Sequence, residues 1–158
     1  MDIILESHII LSLLGIVCCF WVIAGWFKGV FRGYTTLICL TATFTASLSG
    51  FLLPADELRP SHLVGLLSVI LLIFAINSLY VEQLQGGWRI IYIISALASF
   101  YLNVFVAVVQ AFIHIDFLHG LAPTQQELLF VFTQAGVFLF FSATAIITIA
   151  KPALPPAI

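Results

Sequence analysis

The chain has 158 residues, of which 63% are hydrophobic and only 8% charged, with a net charge of −2 and a mean hydropathy of +1.22. Soluble domains carry about 25% charged residues, so five basic and seven acidic side chains cannot clothe a water-soluble globule of this length. Disorder is excluded by the high hydrophobicity, and nucleic acid is excluded as a partner by the lack of any basic tract. A polytopic membrane protein made almost wholly of its spans remains.

A hydrocarbon core of roughly 30 Å needs about 20 apolar residues in a helix. Five runs without a charged residue meet that length: 9–27, 34–53, 63–81, 90–115 and 128–150. They are apolar all round and lack the alternation of barrel strands. The predicted fold is therefore all-α, a single bundle of five transmembrane helices with short loops.

The first span is led by Met1-Asp2-Ile3-Ile4-Leu5-Glu6, which has no basic region, and is followed at once by Lys28. It reads as a retained membrane helix rather than a cleaved signal. Cys18 and Cys19 here, and Cys39 in the second span, sit in apolar runs without metal or redox spacing and read as small apolar filler. Gly25, Gly29 and Gly33 form a four-residue row across the end of this span and its loop.

The second span carries Thr35, Thr36, Thr41, Thr43, Thr45, Ser47 and Ser49, with Ala42, Ala46 and Gly50 at four-residue spacing. Small residues so spaced let helix backbones approach closely, and hydroxyls bond across to neighbours. Both small-residue rows are expected to be helix-packing surfaces, within the chain or against a partner. A hydroxyl-lined pore is the alternative for the second.

The segment from Pro54 to Pro60 is bracketed by prolines, which do not continue a helix interior. Gln85-Gly86-Gly87 supplies residues that tolerate the left-handed backbone of a helix end. The fourth span, at about 26 residues or roughly 39 Å, is longer than a bilayer core, so it tilts or projects. Thr124-Gln125-Gln126-Glu127 has the form of a capping box and predicts that the fifth helix starts at Gln125.

Lys28, Arg32, Arg89 and Lys151 fall at one side of the membrane and only Arg59 at the other. Cytoplasmic loops hold the excess of Lys and Arg, which places the N-terminus outside and the C-terminus in the cytoplasm. Trp26, Tyr34, Tyr80, Trp88 and Tyr92 lie near the basic side, where aromatic rings favour the interface.

No ionisable group lies at mid-depth, which argues against a proton-coupled carrier. In the fourth span Asn103, Gln110 and His114 recur at seven and four residues, on one helix face. Unpaired amides avoid lipid, so this face bonds to neighbouring helices, with Asn77 and Gln134 as candidates, or lines a groove for a quinone or lipid headgroup. His8, His62, His114 and His119 all fall on the outer side. His114, Asp116 and His119 have the donor chemistry of an outer-face Zn or Cu site. Phosphate loops, nucleophile elbows and zinc-protease motifs are missing, and with them any catalytic signature.

The stretch Tyr101-Leu102-Asn103-Val104-Phe105-Val106, continuing through Gln110-Ala111-Phe112 to Leu121-Ala122-Pro123-Thr124-Gln125, resembles small uncharacterised bacterial inner-membrane proteins. Gly25-Trp26-Phe27-Lys28-Gly29-Val30-Phe31-Arg32-Gly33 is similar to the basic loop after the first span of the colicin V production protein family. These resemblances imply a bacterial inner membrane and supply no functional residues.

The sequence thus predicts a small multi-pass protein, not an enzyme and without a resident cofactor, whose partners are the bilayer and other membrane proteins or further copies of itself. A subunit that stabilises or regulates a larger membrane complex is the first expectation. A binder or transporter of a lipid, quinone or other small molecule is the second, and an outer-face metal or quinol site the third.

Overall fold

A computed structural model describes residues 2–53 and 60–151. The helices are α1 (Asp2–Phe27), α2 (Gly33–Ser49), α3 (Pro60–Ile76), α4 (Trp88–His114), α5 (Asp116–Leu121) and α6 (Leu128–Ala150), and no strand occurs among the described residues. A 3₁₀ turn, Gly50–Leu52, extends α2, and a π-helical turn, Asn77–Val81, extends α3. Apart from the short α5, each helix is long and apolar enough to cross a membrane once those extensions are counted. The expected proline-bracketed segment, with Asp56, Glu57 and Arg59, lies outside the described residues.

Several boundaries differ from the sequence reading. Helix α1 begins at Asp2 rather than at residue 9, because nothing in Ile3–Phe27 breaks a helix and Glu6 and His8 are as compatible with one as leucine. Helix α4 starts two residues earlier, at Trp88, and ends at His114. Helix α6 starts at Leu128 rather than Gln125, which takes a left-handed backbone at φ 60°. Glu127 still reaches back to Thr124, accepting from its amide at 3.1 Å and its hydroxyl at 2.8 Å. The Thr-x-x-Glu pair therefore closes a turn that precedes the helix, with Glu127 in the capping position.

Helix α4 is the centre of the bundle, buried through Tyr92, Ile93, Ser95, Ala96, Leu97, Ser99 and Phe100. It packs against α3, α6, α1 and α2, while α1 and α2 form a close antiparallel pair. Gly15 permits that approach: a β-carbon there would lie 2.7 Å from Thr43 Oγ1. Cys19, Cys39 and Ala42 fill the same seam, and the Cys39 thiol donates to the Gly15 carbonyl at 3.5 Å. All three cysteines are free, Cys18 being half-buried.

Trp26 and Tyr92 are core residues rather than interface anchors. They meet edge-on with centroids 5.6 Å apart and are almost wholly enclosed. Tyr34 is exposed at the same end, as the interfacial reading requires. Between α3 and α4 the chain turns through Gln83, Leu84 and Gly86, all at positive φ. The glycine adopts that region freely, whereas the other two are held there against side-chain sterics.

Helix α6 buries a single face, through Gln134, Phe141, Thr144 and Thr148. Phe141 completes an aromatic cluster with Phe20 and Tyr101. The rest of α6 is open, including Leu128, Phe132, Leu139 and Ile146.

Candidate functional site at the end of the bundle away from Arg89 and Lys151

Four helices supply polar side chains at the end away from Lys28, Arg32, Arg89 and Lys151, and these line one half-open cavity of about 300 Å³. Helix α1 gives His8 and Ser12, α2 gives Ser47, α3 gives Ser61, His62 and Ser68, and α4 gives Asn103 and Gln110. Leu5, Phe51, Leu53, Val64, Leu102 and Val106 form the apolar remainder. Among the described residues no Asp, Glu, Lys or Arg lines it.

Helix periodicity explains why these residues converge. Ser12 follows His8 by four residues and Ser68 follows Ser61 by seven, so each pair tracks one inward face. Small residues open the space: a β-carbon at Gly65 would sit 3.4 Å from the Phe51 ring, and one at Gly50 3.5 Å from His8 Cε1. Phe51 stacks on His62 at 5.7 Å between ring centres, closing one side of the cavity.

The polar walls are internally bonded. His8 Nδ1 lies 3.0 Å from Ser49 Oγ, and that hydroxyl donates to the Ala46 carbonyl at 2.9 Å. Ser47 Oγ is 2.8 Å from the Thr43 carbonyl and 3.0 Å from Ser68 Oγ. Asn103 Nδ2 donates to the Ser12 carbonyl at 3.2 Å, tying α4 to α1. The amide of Gln110 bonds to none of the described residues.

The expected polar face of α4 is divided. Asn103 and Gln110 line the cavity. His114 shares their face but is the last residue of α4, one turn beyond Gln110 and exposed outside the walls. Gln134 does not meet them: it donates to the Phe105 carbonyl at 3.2 Å on another side of α4. Asn77 is at the opposite end, in the π-helical turn.

Asp116 opens α5 and His119 follows within it, both exposed like His114. Among the described residues no three or more His, Cys, Asp or Glu side chains gather where a metal ion could be held. The four histidines therefore separate into two that line the cavity and two that lie outside it.

The small-residue rows also part company. Ala42 and Ala46 are buried inside the chain, Ala46 and Gly50 reaching the cavity wall. Gly25, Gly29 and Gly33 form no helix-packing row. A β-carbon at Gly25 would lie 2.8 Å from the Val30 carbonyl, Gly29 stands open at φ 68°, and Gly33 begins α2. Together they build the α1–α2 turn, which Arg32 closes by lying 4.5 Å over the Trp21 ring.

Ser12, Ser61, Ser68, Gly15 and Gly65 escape a reading of the spans one at a time. The signal that finds them is depth: each polar one lies near the end of its own run away from the basic residues, level with a histidine or amide on another. No family model, curated protein or solved structure matches the chain.

Proposed function

We propose that this is a multi-pass protein of a bacterial inner membrane that takes the polar head of a small amphiphile into the outer end of its helix bundle, by binding and without catalysis. The observation that carries this reading is the half-open cavity whose polar lining, among the described residues, is neutral. Ligand sites are concave and largely apolar with a few convergent polar groups, and an unpaired amide such as Gln110 is costly next to lipid. The gathering of Lys28, Arg32, Arg89 and Lys151 at the other end supports an N-terminus outside and a C-terminus in the cytoplasm.

The test is lipid analysis of protein purified in mild detergent, beside Val106→Trp, which fills the cavity from α4. The parent should retain a bound amphiphile near one per chain, and the tryptophan variant should lose it while melting at a similar temperature. An equal complement of lipid in both overturns the proposal.

A second reading is favoured by α6, whose outward stripe of Phe132, Gly136, Leu139, Ala143 and Ile146 is uncovered. A glycine and an alanine among large apolar side chains suit close approach by another membrane helix, which supports a subunit of a larger complex or an assembly of like chains. Gly136→Leu should then lower the mass of the detergent-extracted assembly, and an unchanged mass counts against it.

A further inference from the structure

The geometry points to a specific ligand class for the cavity: a neutral head that bears a hydroxyl donor, carried on an apolar tail. This rests on the amphiphile reading above and deepens it.

The argument is a proton count. The Ser49 hydroxyl has one proton and directs it to the Ala46 carbonyl. The bond between His8 Nδ1 and Ser49 Oγ must then be donated by the imidazole. In the neutral ring this assigns the proton to Nδ1 and leaves Nε2 an acceptor.

The same count applies on the next turn. Ser47 has one proton for the Thr43 carbonyl, so Ser68 donates to Ser47 and retains only lone pairs. The α1–α2–α3 wall therefore offers acceptors at His8 Nε2 and Ser68 Oγ, beside the Ser12 and Ser61 hydroxyls, which donate as well as accept. Across from it, α4 offers amides: one N–H of Asn103 is committed to the Ser12 carbonyl, while its second N–H and both ends of Gln110 are available.

A ligand that satisfies both walls donates from a hydroxyl towards His8 and Ser68 and accepts from Asn103 or Gln110. Anionic and cationic heads are disfavoured, since no charged side chain among the described residues lines the space to offset their desolvation. At about 300 Å³ the cavity admits a head and not a whole lipid, so the tail must leave between helices towards the bilayer. A hydroquinone ring and a glycerol head both have this chemistry.

The experiment is calorimetric titration of the full chain in detergent with four probes: decylhydroquinone kept reduced, its oxidised quinone, monooleoylglycerol and oleate at alkaline pH. The two hydroxylated probes are expected to bind about tenfold or more tighter than the quinone, which has no donor, as the loss of one or two hydrogen bonds requires. Which of them binds more tightly separates a quinol from a glyceride source. His8→Phe should remove the preference for hydroquinone over quinone, and Gln110→Leu should weaken all neutral probes alike. Thermal unfolding of each variant without probe establishes that it is folded.

Equal binding of quinone and hydroquinone, or a preference untouched by His8→Phe, overturns the donor requirement and leaves an amphiphile site standing. Tightest binding of oleate overturns the neutral class. Failure of every probe to bind the folded parent overturns the amphiphile reading itself, and the cavity is then filled by water alone.

Discussion

Lys151, the residue after α6, donates from Nζ to the carbonyl of Phe27, the last residue of α1, at 2.8 Å. Its ammonium also lies 5.2 Å from the centre of the Phe27 ring. Arg89, at the start of α4, reaches the same place, with Nη2 at 2.8 Å from the Thr148 carbonyl and 2.9 Å from that of Lys151. Helix C-termini leave carbonyls without partners and carry partial negative charge. Arg89 and Lys151 thus act as caps that join the start of α4 and the end of α1 to the end of α6.

Removal of the Arg89 cap should destabilise the bundle. Its guanidinium serves three carbonyls from a fixed fork, so Arg89→Leu is expected to lower stability by roughly 1–3 kcal/mol. Arg89→Lys should recover only part of this. Lys151→Met, at a more open site, should cost less than Arg89→Leu. Thermal unfolding in one detergent ranks the three.

Two glycines give opposite expectations. Gly15→Ala places a methyl 2.7 Å from Thr43 Oγ1 and 3.2 Å from Asn103 Nδ2. Forced overpacking of that kind costs about 1–3 kcal/mol, and here it also presses on the Asn103 bond beside the cavity. Gly136→Ala meets nothing within 4 Å and gains helix propensity of up to about 1 kcal/mol. The first should melt lower than the parent and the second no lower. The same result for both would contradict the close α1–α2 approach.

The turn before α6 should be pH-sensitive. Slight desolvation raises the Glu127 carboxyl, but hydrogen bonds from its own backbone, Thr124 and Gln126 outweigh this and hold it below the usual range. A carboxyl depressed in the folded state contributes stability above its unfolded value, about 4.3, and loses it as pH falls through the folded one. Amide protection factors at Leu128–Val131, corrected for the intrinsic pH dependence of exchange, should therefore fall on acidification from about pH 5 to about pH 3, and Glu127→Gln should reproduce the acid behaviour at neutral pH. Exchange that ignores both changes would show that the turn holds without the carboxylate.

Topology has a direct test. A reporter fused after Ile158 should be active only in the cytoplasm, and one before Asp2 only outside. Two ends on one side would require an even number of crossings.

Much of the architecture was legible in one dimension because each span must satisfy its own backbone in lipid. Charge-free runs of sufficient length show where helices lie, and the ends of the run at 128–150 coincide with α6. Asn103 and Gln110 were recognisable as one face because an amide has few places to hide in a membrane. His114, on the same face, was misplaced because periodicity gives direction around a helix and not where its neighbours end. Trp26 and Tyr92 were assigned to the interface by depth, but depth does not say that the two rings meet and bury each other between α1 and α4. The capping-box pattern marked the right residues while missing the start of α6, since a left-handed Gln125 satisfies the same bonds from a turn.

The sequence by itself determined that the chain is a five-span helical membrane protein with four of its five cations at one end, because bilayer thickness and the burial of charge constrain composition residue by residue. Tertiary structure alone decided that His8, Ser47, Ser68, Asn103 and Gln110 share one cavity. The same tertiary contacts left His114, Asp116 and His119 outside it, exposed and without a metal-holding group among the described residues. Those outcomes depend on which helices pack together and at what depth, and that is set by contacts such as Gly15 on Thr43 and Gly65 on Phe51. Such contacts join residues far apart in the chain, and no local pattern encodes them.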